Sequence, residues 1–471
     1  MSTWLPPISL HSFAIVVSVL AYVLTARAER ERERRPPSIA IAWVLGMIAL
    51  PYLVLPMYLL FGRRKLPRKV LPRASTRSNA GHWAQDLIQS FGLPPCSRAR
   101  ISLHQDGAES AAALFATMSG AQSRLDISTY ILGDDDFGRK AMQHMMERAR
   151  SGVDVRLLLD GVGAIQLPKA CFKALEIGGV DTATFSPLFA RRTQGPRNLR
   201  NHRKMVIADG SRLWAGGRNL AAEYFSGAAG APPWRDLTFD LQGPVAAAAA
   251  AQFESDWVAA GGKPASADIL SLNPAAPAAA AAAGSLAALN REPAGEAQFL
   301  PSGPDQSEDT VHALLIDACF QARDRMLAVT PYFVPDVSLE TAMRLAARRG
   351  VRIDLCIPQS SNHKLADFAR NRALRSLSLA GVNVHLLPGM CHAKAVVFDD
   401  ALALSGSVNL DSRSLLLNYE CAVVFYGRTE IDWLAKWIEA LIPRTLAFDS
   451  RPPGLLRDLC EGLLLTVAYQ L

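Results

Sequence analysis

Cysteine is scarce and scattered: seven occur in 471 residues, at positions 96, 171, 319, 356, 391, 421 and 460. No two form a C-x-x-C pair, none joins histidines at metal-ligand spacing, and the number is odd. A complete disulfide framework and a zinc-type centre are therefore excluded by pattern. Reduced, mostly buried thiols are expected, and no motif implies a cofactor or a metal. An acidic excess is also lacking. Lys and Arg total 50 against 43 Asp and Glu, a net charge of +7. That balance suits an anionic partner, either nucleic acid or an acidic lipid surface, and does not choose between them.

Charge is missing altogether from two stretches. Leu5 to Thr25 has no Asp, Glu, Lys or Arg, and neither does Ser38 to Gly62, which carries Pro51 and Pro56. Each has about the 20-residue length that crosses a bilayer. The charged segment ARAERERERRPP (26–37) separates them, and Arg63-Arg64-Lys65 ends the second. Charge follows the first run instead of preceding it, which argues against a cleaved signal peptide. Residues 1–70 are thus expected to form a two-span transmembrane anchor. The basic residues after it lean the main body towards the cytoplasm, although the link holds five Arg of its own.

What the chain does have is one pattern twice. NHRKMVIADGSRLWAGGRNL (201–220) and CHAKAVVFDDALALSGSVNL (391–410) both read H-x-K-x-x-x-x-D, then a small residue and an Asn. The first copy supplies His202, Lys204, Asp209, Gly217 and Asn219. The second supplies His392, Lys394, Asp399, Ser407 and Asn409. Every matched pair is 190 residues apart (202 to 392, 219 to 409), so neither copy has an insertion. The apolar run after each Lys reads as a strand, which puts His and Lys on one face. Asp209 and Asp399 have the opposite parity, begin turn signals, and read mainly as turn residues. Two copies packed face to face would place two His, two Lys and two Asn in one pocket. One His can attack phosphorus and the other protonate the leaving alkoxide, while Lys and Asn hold the transition-state oxygens.

The duplication extends beyond the motif. LDISTYIL (125–132) is echoed by LAVTPYFV (327–334), with Tyr130 matching Tyr332. SGVDVRLLLD is echoed by RGVRIDLCIP (349–358), and IGGVDTATF by LAGVNVHLL (379–387). Strand patterns alternate with helical ones over 109–123, 137–150 and 168–179, which implies an α/β layer fold. Two related domains are expected, over 100–262 and 301–471. Between them, 263–300 is rich in Ala and Pro, lacks a periodic apolar face and reads as a linker. The first copy has a longer approach to its motif, ARRTQGPRNLRNHRK (190–204). Its Arg191, Arg192, Arg197, Arg200 and Arg203 are candidates for gathering phosphates at the pocket mouth. His104, His363 and His385 fall outside the motifs and read as structural or surface residues.

The paired pattern resembles the phospholipase D, or HKD, superfamily. SGPD (302–305), TPYFVPD (330–336), GSVNLDSRSLLLNYE (406–420), NLRNHRK and the anchor stretch 42–65 look like bacterial cardiolipin synthase. The resemblance implies mixed sheets with helices on both faces, related by a pseudo-twofold axis with one active site between them. It also implies a carboxylate partner for each His downstream of its own motif, Asp236 for His202 and Glu420 for His392. The implied activity is transfer of a phosphatidyl group between two phosphatidylglycerol molecules, giving cardiolipin and glycerol, at a bacterial inner membrane. By family habit His202 would be the nucleophile and His392 the general acid. Hydrolysis by water, phosphatidylethanolamine as the other lipid and a membrane-tethered nuclease remain open, as does the oligomeric state. The membrane spans and the flanks argue against nucleic acid as a partner.

Overall fold

The computed structural model describes residues 10–29, 37–61, 81–187, 198–228, 230–264 and 295–465. Most of the charged link, the basic run 63–77, Arg191, Arg192, Arg197 and linker residues 265–294 lie outside them.

The N-terminal unit consists of helices Leu10–Glu29, Pro37–Ala49 and Pro51–Phe61. The second apolar run was expected as one span, but it is two helices. Pro51 has no N–H to continue the first, and it suits the first turn of the next. Among the described residues no helix is long and apolar enough to cross a membrane. The three helices pack through Tyr22, Met47 and Tyr58, all buried, with Tyr22 and Tyr58 ring centroids 5.3 Å apart. Their outward residues remain strongly apolar: Leu10, Phe13, Val16, Leu20, Ile41, Leu45, Leu53 and Leu59 are all more than half exposed.

The main body is built on one mixed sheet. Its first half contributes β1 (Ser97–His104), β2 (Arg124–Thr129), β3 (Asp154–Asp160), β4 (Asp181–Phe185), β5 (Met205–Ala208), β6 (Arg212–Gly216) and β7 (Thr238–Gln242). The second contributes β8 (Gly295–Ser302), β9 (Arg325–Val329), β11 (Arg352–Pro358), β12 (Asn383–Leu387), β13 (Ala395–Phe398), β14 (Leu402–Gly406), β16 (Glu420–Phe425) and β17 (Leu446–Ala447), while β10 (Phe333–Val334) and β15 (Leu410–Asp411) pair with each other in a separate two-stranded parallel sheet. The first half runs β4-β3-β2-β5-β6-β7-β1 and the second β12-β11-β9-β13-β14-β16-β8. The two orders correspond strand for strand. They join where β1 pairs antiparallel with β8, Ser97 opposite Ala297, so the duplicated domains share a continuous sheet.

Local chemistry explains the elements. Parallel β2, β3 and β4 are linked by helices Asp136–Arg150 and Lys169–Ile177; β2 and β3 are buried along nearly their whole length, whereas β4, at the end of the sheet, is mostly half-buried. Helices start where an Asp caps them: Asp106 Oδ1 accepts from the Ala108 and Glu109 amides at 2.6 and 3.3 Å, and Asp135 and Asp336 act alike. Each half buries its own apolar cluster, around Leu125, Ile127, Leu157 and Trp214 in the first and Ile353, Leu355, Val396 and Leu404 in the second. The strand β8 begins inside the stretch read as linker. Its polar Gln298 broke the apolar pattern, yet that side chain is buried and donates to the Pro94 carbonyl at 2.7 Å.

Candidate active site

Both motifs deliver their His and Lys just ahead of a strand, β5 or β13, and both return through a hairpin to their Asn. The seam between the halves is stitched in the same way twice. The amide of His202 donates to the Tyr419 carbonyl at 2.8 Å, and the amide of Tyr419 donates to Arg200 at 2.9 Å. The amide of His392 donates to the Arg235 carbonyl at 2.7 Å, and the amide of Arg235 donates to Met390 at 3.2 Å. Each His segment is therefore paired with the segment that carries the carboxylate of the other half.

This corrects the expected pairing. Asp236 was assigned to His202 and Glu420 to His392, and the structure exchanges them. Nδ1 of His392 lies 2.8 Å from Oδ2 of Asp236, and Nδ1 of His202 lies 3.5 Å from Oε1 of Glu420. Asp236 stays ionised and can only accept, so Nδ1 of His392 carries the proton and its Nε2 is left to act on substrate. Both carboxylates are fully buried.

The small residue of each motif supports the carboxylate of its own half, the one that serves the other half's His, in its own way. Ser407 Oγ donates to Glu420 Oε2 at 2.5 Å. Gly217 leaves room instead: a Cβ there would stand 2.1 Å from Asp236 Oδ1. Lys204 Nζ donates to the His202 carbonyl at 2.8 Å, and Lys394 Nζ contacts the His392 carbonyl and lies 3.0 Å from its Nε2. Asn219 accepts from the Ile131 amide and donates to the Tyr224 hydroxyl at 2.8 Å, while Asn409 donates to Ser414 Oγ at 3.1 Å. His202, Lys204, Asn219, His392, Lys394, Ser407 and Asn409 all line one cavity of about 490 Å³.

Burial sets the electrostatics. It pushes the His392 imidazole down to about 4, helped by Lys394 and opposed by Asp236. His202 is held well below its usual value by burial and then by Lys204. Lys394 is pushed down to about 7 by burial, against the pull of Asp236. Burial raises Glu420 to about 7, opposed by Lys204. For Asp236 burial also pushes up, but Lys394 and His392 more than offset it, and its carboxyl stays below the ordinary range. The site thus presents two neutral imidazoles among cations, and one of them is backed by a firmly ionised carboxylate.

Other expected site residues lie elsewhere. Asp209 and Asp399 take no part in lining the cavity. Each adopts a left-handed backbone, φ 51° and 48°, and turns back to cap the start of a neighbouring strand. Asp209 accepts from the amides of Gln122, Ser123 and Arg124, and Asp399 from those of Arg323, Asp324 and Arg325. Arg203 is not at the pocket mouth. It is fully buried and joins Asp256 of the first half to Asp305, the Ser302 carbonyl and the Glu420 carbonyl of the second. Arg200 does line the cavity, held by Asp160 at 3.3 Å and by the Ser186 carbonyl at 3.0 Å.

His104 and His385 bond to Asp240 and Asp354 at 2.7 and 2.9 Å, and His363 is exposed, as a structural or surface reading expected, but it also lines the cavity. Sequence reasoning also missed Tyr130, Tyr332, Asn362 and Arg413 as lining residues. The tyrosines carried a signal, since they matched across the repeat. Tyr130 packs on His202 with ring centroids 4.2 Å apart.

Such a paired His-Lys-Asn site on a duplicated α/β body is the architecture of the phospholipase D superfamily. The family profile described as "Cardiolipin synthase, PLD-like domain" matches residues 114–257 and 315–442, more than half of the chain, and a phospholipase D-nuclease N-terminal profile matches 14–63. The chain belongs to the cardiolipin synthase family of phospholipase D-like proteins. It is 31% identical over 433 residues to cardiolipin synthase A of Pseudomonas aeruginosa, covering 85% of each chain. It is 30% identical over 419 residues to cardiolipin synthase A of Pseudomonas putida, covering 83% of each. Among solved structures it resembles the phosphatidylserine synthase of Haemophilus influenzae, with a TM-score of 0.61 at 15% identity, over 82% of this chain and 100% of that one. That likeness establishes the fold.

Proposed function

We propose that this chain is a cardiolipin synthase that moves a phosphatidyl group from one phosphatidylglycerol to another, releasing glycerol. The observation that carries this reading is the single cavity at the seam, where both His-Lys-Asn sets meet and each His is backed by a carboxylate from the other half.

Nε2 of His202 attacks phosphorus and the bond to the leaving glycerol oxygen breaks. His392 enters this step as the imidazolium, a state that the ionised Asp236 and the bound anionic phosphodiester favour, and gives its Nε2 proton to that oxygen. The glycerol hydroxyl of a second phosphatidylglycerol then loses its proton to His392 and attacks the phosphatidyl-His202. The P–N bond breaks and its electron pair returns to Nε2. Lys204, Lys394, Asn219 and Asn409 hold the non-bridging oxygens. His392 fits the proton-carrying role because the ionised Asp236 stabilises its imidazolium. One phosphodiester replaces another, so no energy source is needed.

The N-terminal helices fit attachment to the bacterial inner membrane. Their broad apolar surface is what a lipid phase would cover, and a two-span anchor would keep the site at the surface where its substrate resides.

The test uses the purified chain in detergent with phosphatidylglycerol as the only lipid and EDTA present, with products resolved by mass spectrometry. Cardiolipin plus glycerol is the expected result. Phosphatidic acid alone would make the protein a hydrolase and overturn the assignment.

A further inference from the structure

The reacting phosphate is served by a symmetric set, His202, Lys204 and Asn219 facing His392, Lys394 and Asn409. Two further cations line the same cavity and break that symmetry: Arg200 of the first half and Arg413 of the second. At the repeat offset of 190, Arg200 corresponds to Met390 and Arg413 to Glu223, so neither arginine has a cationic twin. Arg413 follows β15 on the short helix Ser412–Leu416, four residues beyond Asn409.

The two arginines converge from opposite halves. Arg413 feels the Asp411 carboxylate first, then Tyr130 and then Arg200 as a like charge, while Tyr130, packed on His202, feels Asp160 before the two arginines. Arg413 also acts on His202 itself. Asp160 and Asp411 brace the pair, and both arginines remain part of the cavity wall, where an anion can meet them. Guanidinium forks match phosphate oxygens in shape as well as charge.

The donor lipid cannot account for this second site. Its one phosphate is the reacting group and occupies the symmetric His-Lys-Asn set. The acceptor brings another phosphate, joined to the attacking hydroxyl through the glycerol unit, and that phosphate must lie beside the reaction centre on one side only. We infer that Arg200 and Arg413 form a subsite for the phosphate of the acceptor lipid, so that a glycerophosphate-bearing alcohol is preferred over a neutral one. This rests on the transferase assignment above and adds the basis of its acceptor choice.

In the step it governs, the acceptor hydroxyl attacks phosphatidyl-His202, its proton passes to His392, the new P–O bond forms and the P–N bond breaks. A neutral alcohol enters the same step without touching the arginines.

Competition between two acceptors for one intermediate tests this. The full-length protein receives phosphatidylglycerol with a fixed concentration of ethanol, and the ratio of cardiolipin to phosphatidylethanol is measured. Because both products come from one intermediate, the ratio does not depend on how much protein is folded or how fast the intermediate forms. Arg413→Met should move the ratio about tenfold or more towards phosphatidylethanol, the scale of a lost charge-assisted contact. Arg413→Lys should fall between. An unchanged ratio in Arg413→Met would overturn the subsite. If the unsubstituted protein makes phosphatidylethanol but no cardiolipin, the assignment of phosphatidylglycerol as acceptor fails, and the subsite fails with it. If it makes cardiolipin and the ratio does not move, only the subsite fails.

Discussion

Oδ2 of Asp236, in the first half, lies 2.8 Å from Nδ1 of His392, 156 residues further along the chain and in the second half. Neither half therefore holds a complete catalytic His. Asp236→Asn keeps the size of the side chain and removes its charge, and its amide can present an N–H to Nδ1. The ring would then lose both its tautomer control and the charge that stabilises the imidazolium. A fall in kcat of about 10² to 10⁴-fold is expected, with the thermal midpoint nearly unchanged. Steady-state rates together with a melting curve check it, and full activity in this variant would mean that Asp236 does not serve His392.

Gly217 shows why the pairing needs its space. A Cβ there would stand 2.1 Å from Asp236 Oδ1, a distance that forces the carboxylate to move. Gly217→Ala should cost at least tenfold in kcat because His392 is misoriented. The mirror change, Ser407→Ala, removes the donor to Glu420 but adds no bulk and should be milder. Comparing the two rates measures whether the halves use their small residues as the geometry requires.

Much of this site was legible in the sequence, and the reasons differ from residue to residue. The His, Lys and Asn spacing survived because two hairpins of equal length carry it. Tyr130 and Tyr332 were visible as a matched pair, but nothing local showed that they turn towards the His residues. The carboxylate exchange was not legible at all, since it depends on the parallel bridges Asn201 to Tyr419 and Arg235 to Cys391 between halves. Sequence order suggested that a motif is served by its own downstream acid, and tertiary pairing overrode it. Arg203 looked like its arginine neighbours in a basic run. Only the fold shows that it is buried against Asp256 and Asp305. In β8, the buried polar Gln298 hid a central strand behind a linker-like composition.

Arg203 separates bracing from binding. It is fully buried, and it holds one carboxylate from each half together with two carbonyls of the second. Arg203→Met would leave Asp256 and Asp305 buried without their cation. A loss of roughly 3–5 kcal/mol in stability is expected. Denaturant unfolding checks it, and a drop in activity with unchanged stability would point instead to a direct role towards substrate.

The two motif aspartates make a contrasting case. Asp209 and Asp399 accept backbone amides at a left-handed turn and face away from the cavity. Asp399→Ala should lower stability by roughly 1–3 kcal/mol, through lost acceptors and an unfavourable turn. The rate per folded molecule should persist. Active-site titration of the phosphatidyl-enzyme against rate distinguishes the outcomes, and a collapse of the rate per active site would give Asp399 a chemical role that its position does not explain.

The pH dependence follows from the same burial. In the free protein Lys394 loses its charge near 7 and His392 gains one near 4. The nucleophile must be neutral, so kcat/KM falls as pH drops into the acid range where His202 protonates, a range that burial sets well below the usual imidazole value. On the alkaline side, a neutral Lys394 no longer holds the transition-state oxygens, so kcat/KM falls again as pH rises through about 7. Bound substrate changes the balance, because its phosphodiester is anionic and favours the charged form of Lys394. The alkaline limb of kcat must therefore lie at higher pH than that of kcat/KM. Rates with saturating and limiting lipid from pH 5 to 9 supply both profiles. Coincident alkaline limbs would mean that the group titrating there does not touch the phosphate, and the role given to Lys394 would fall.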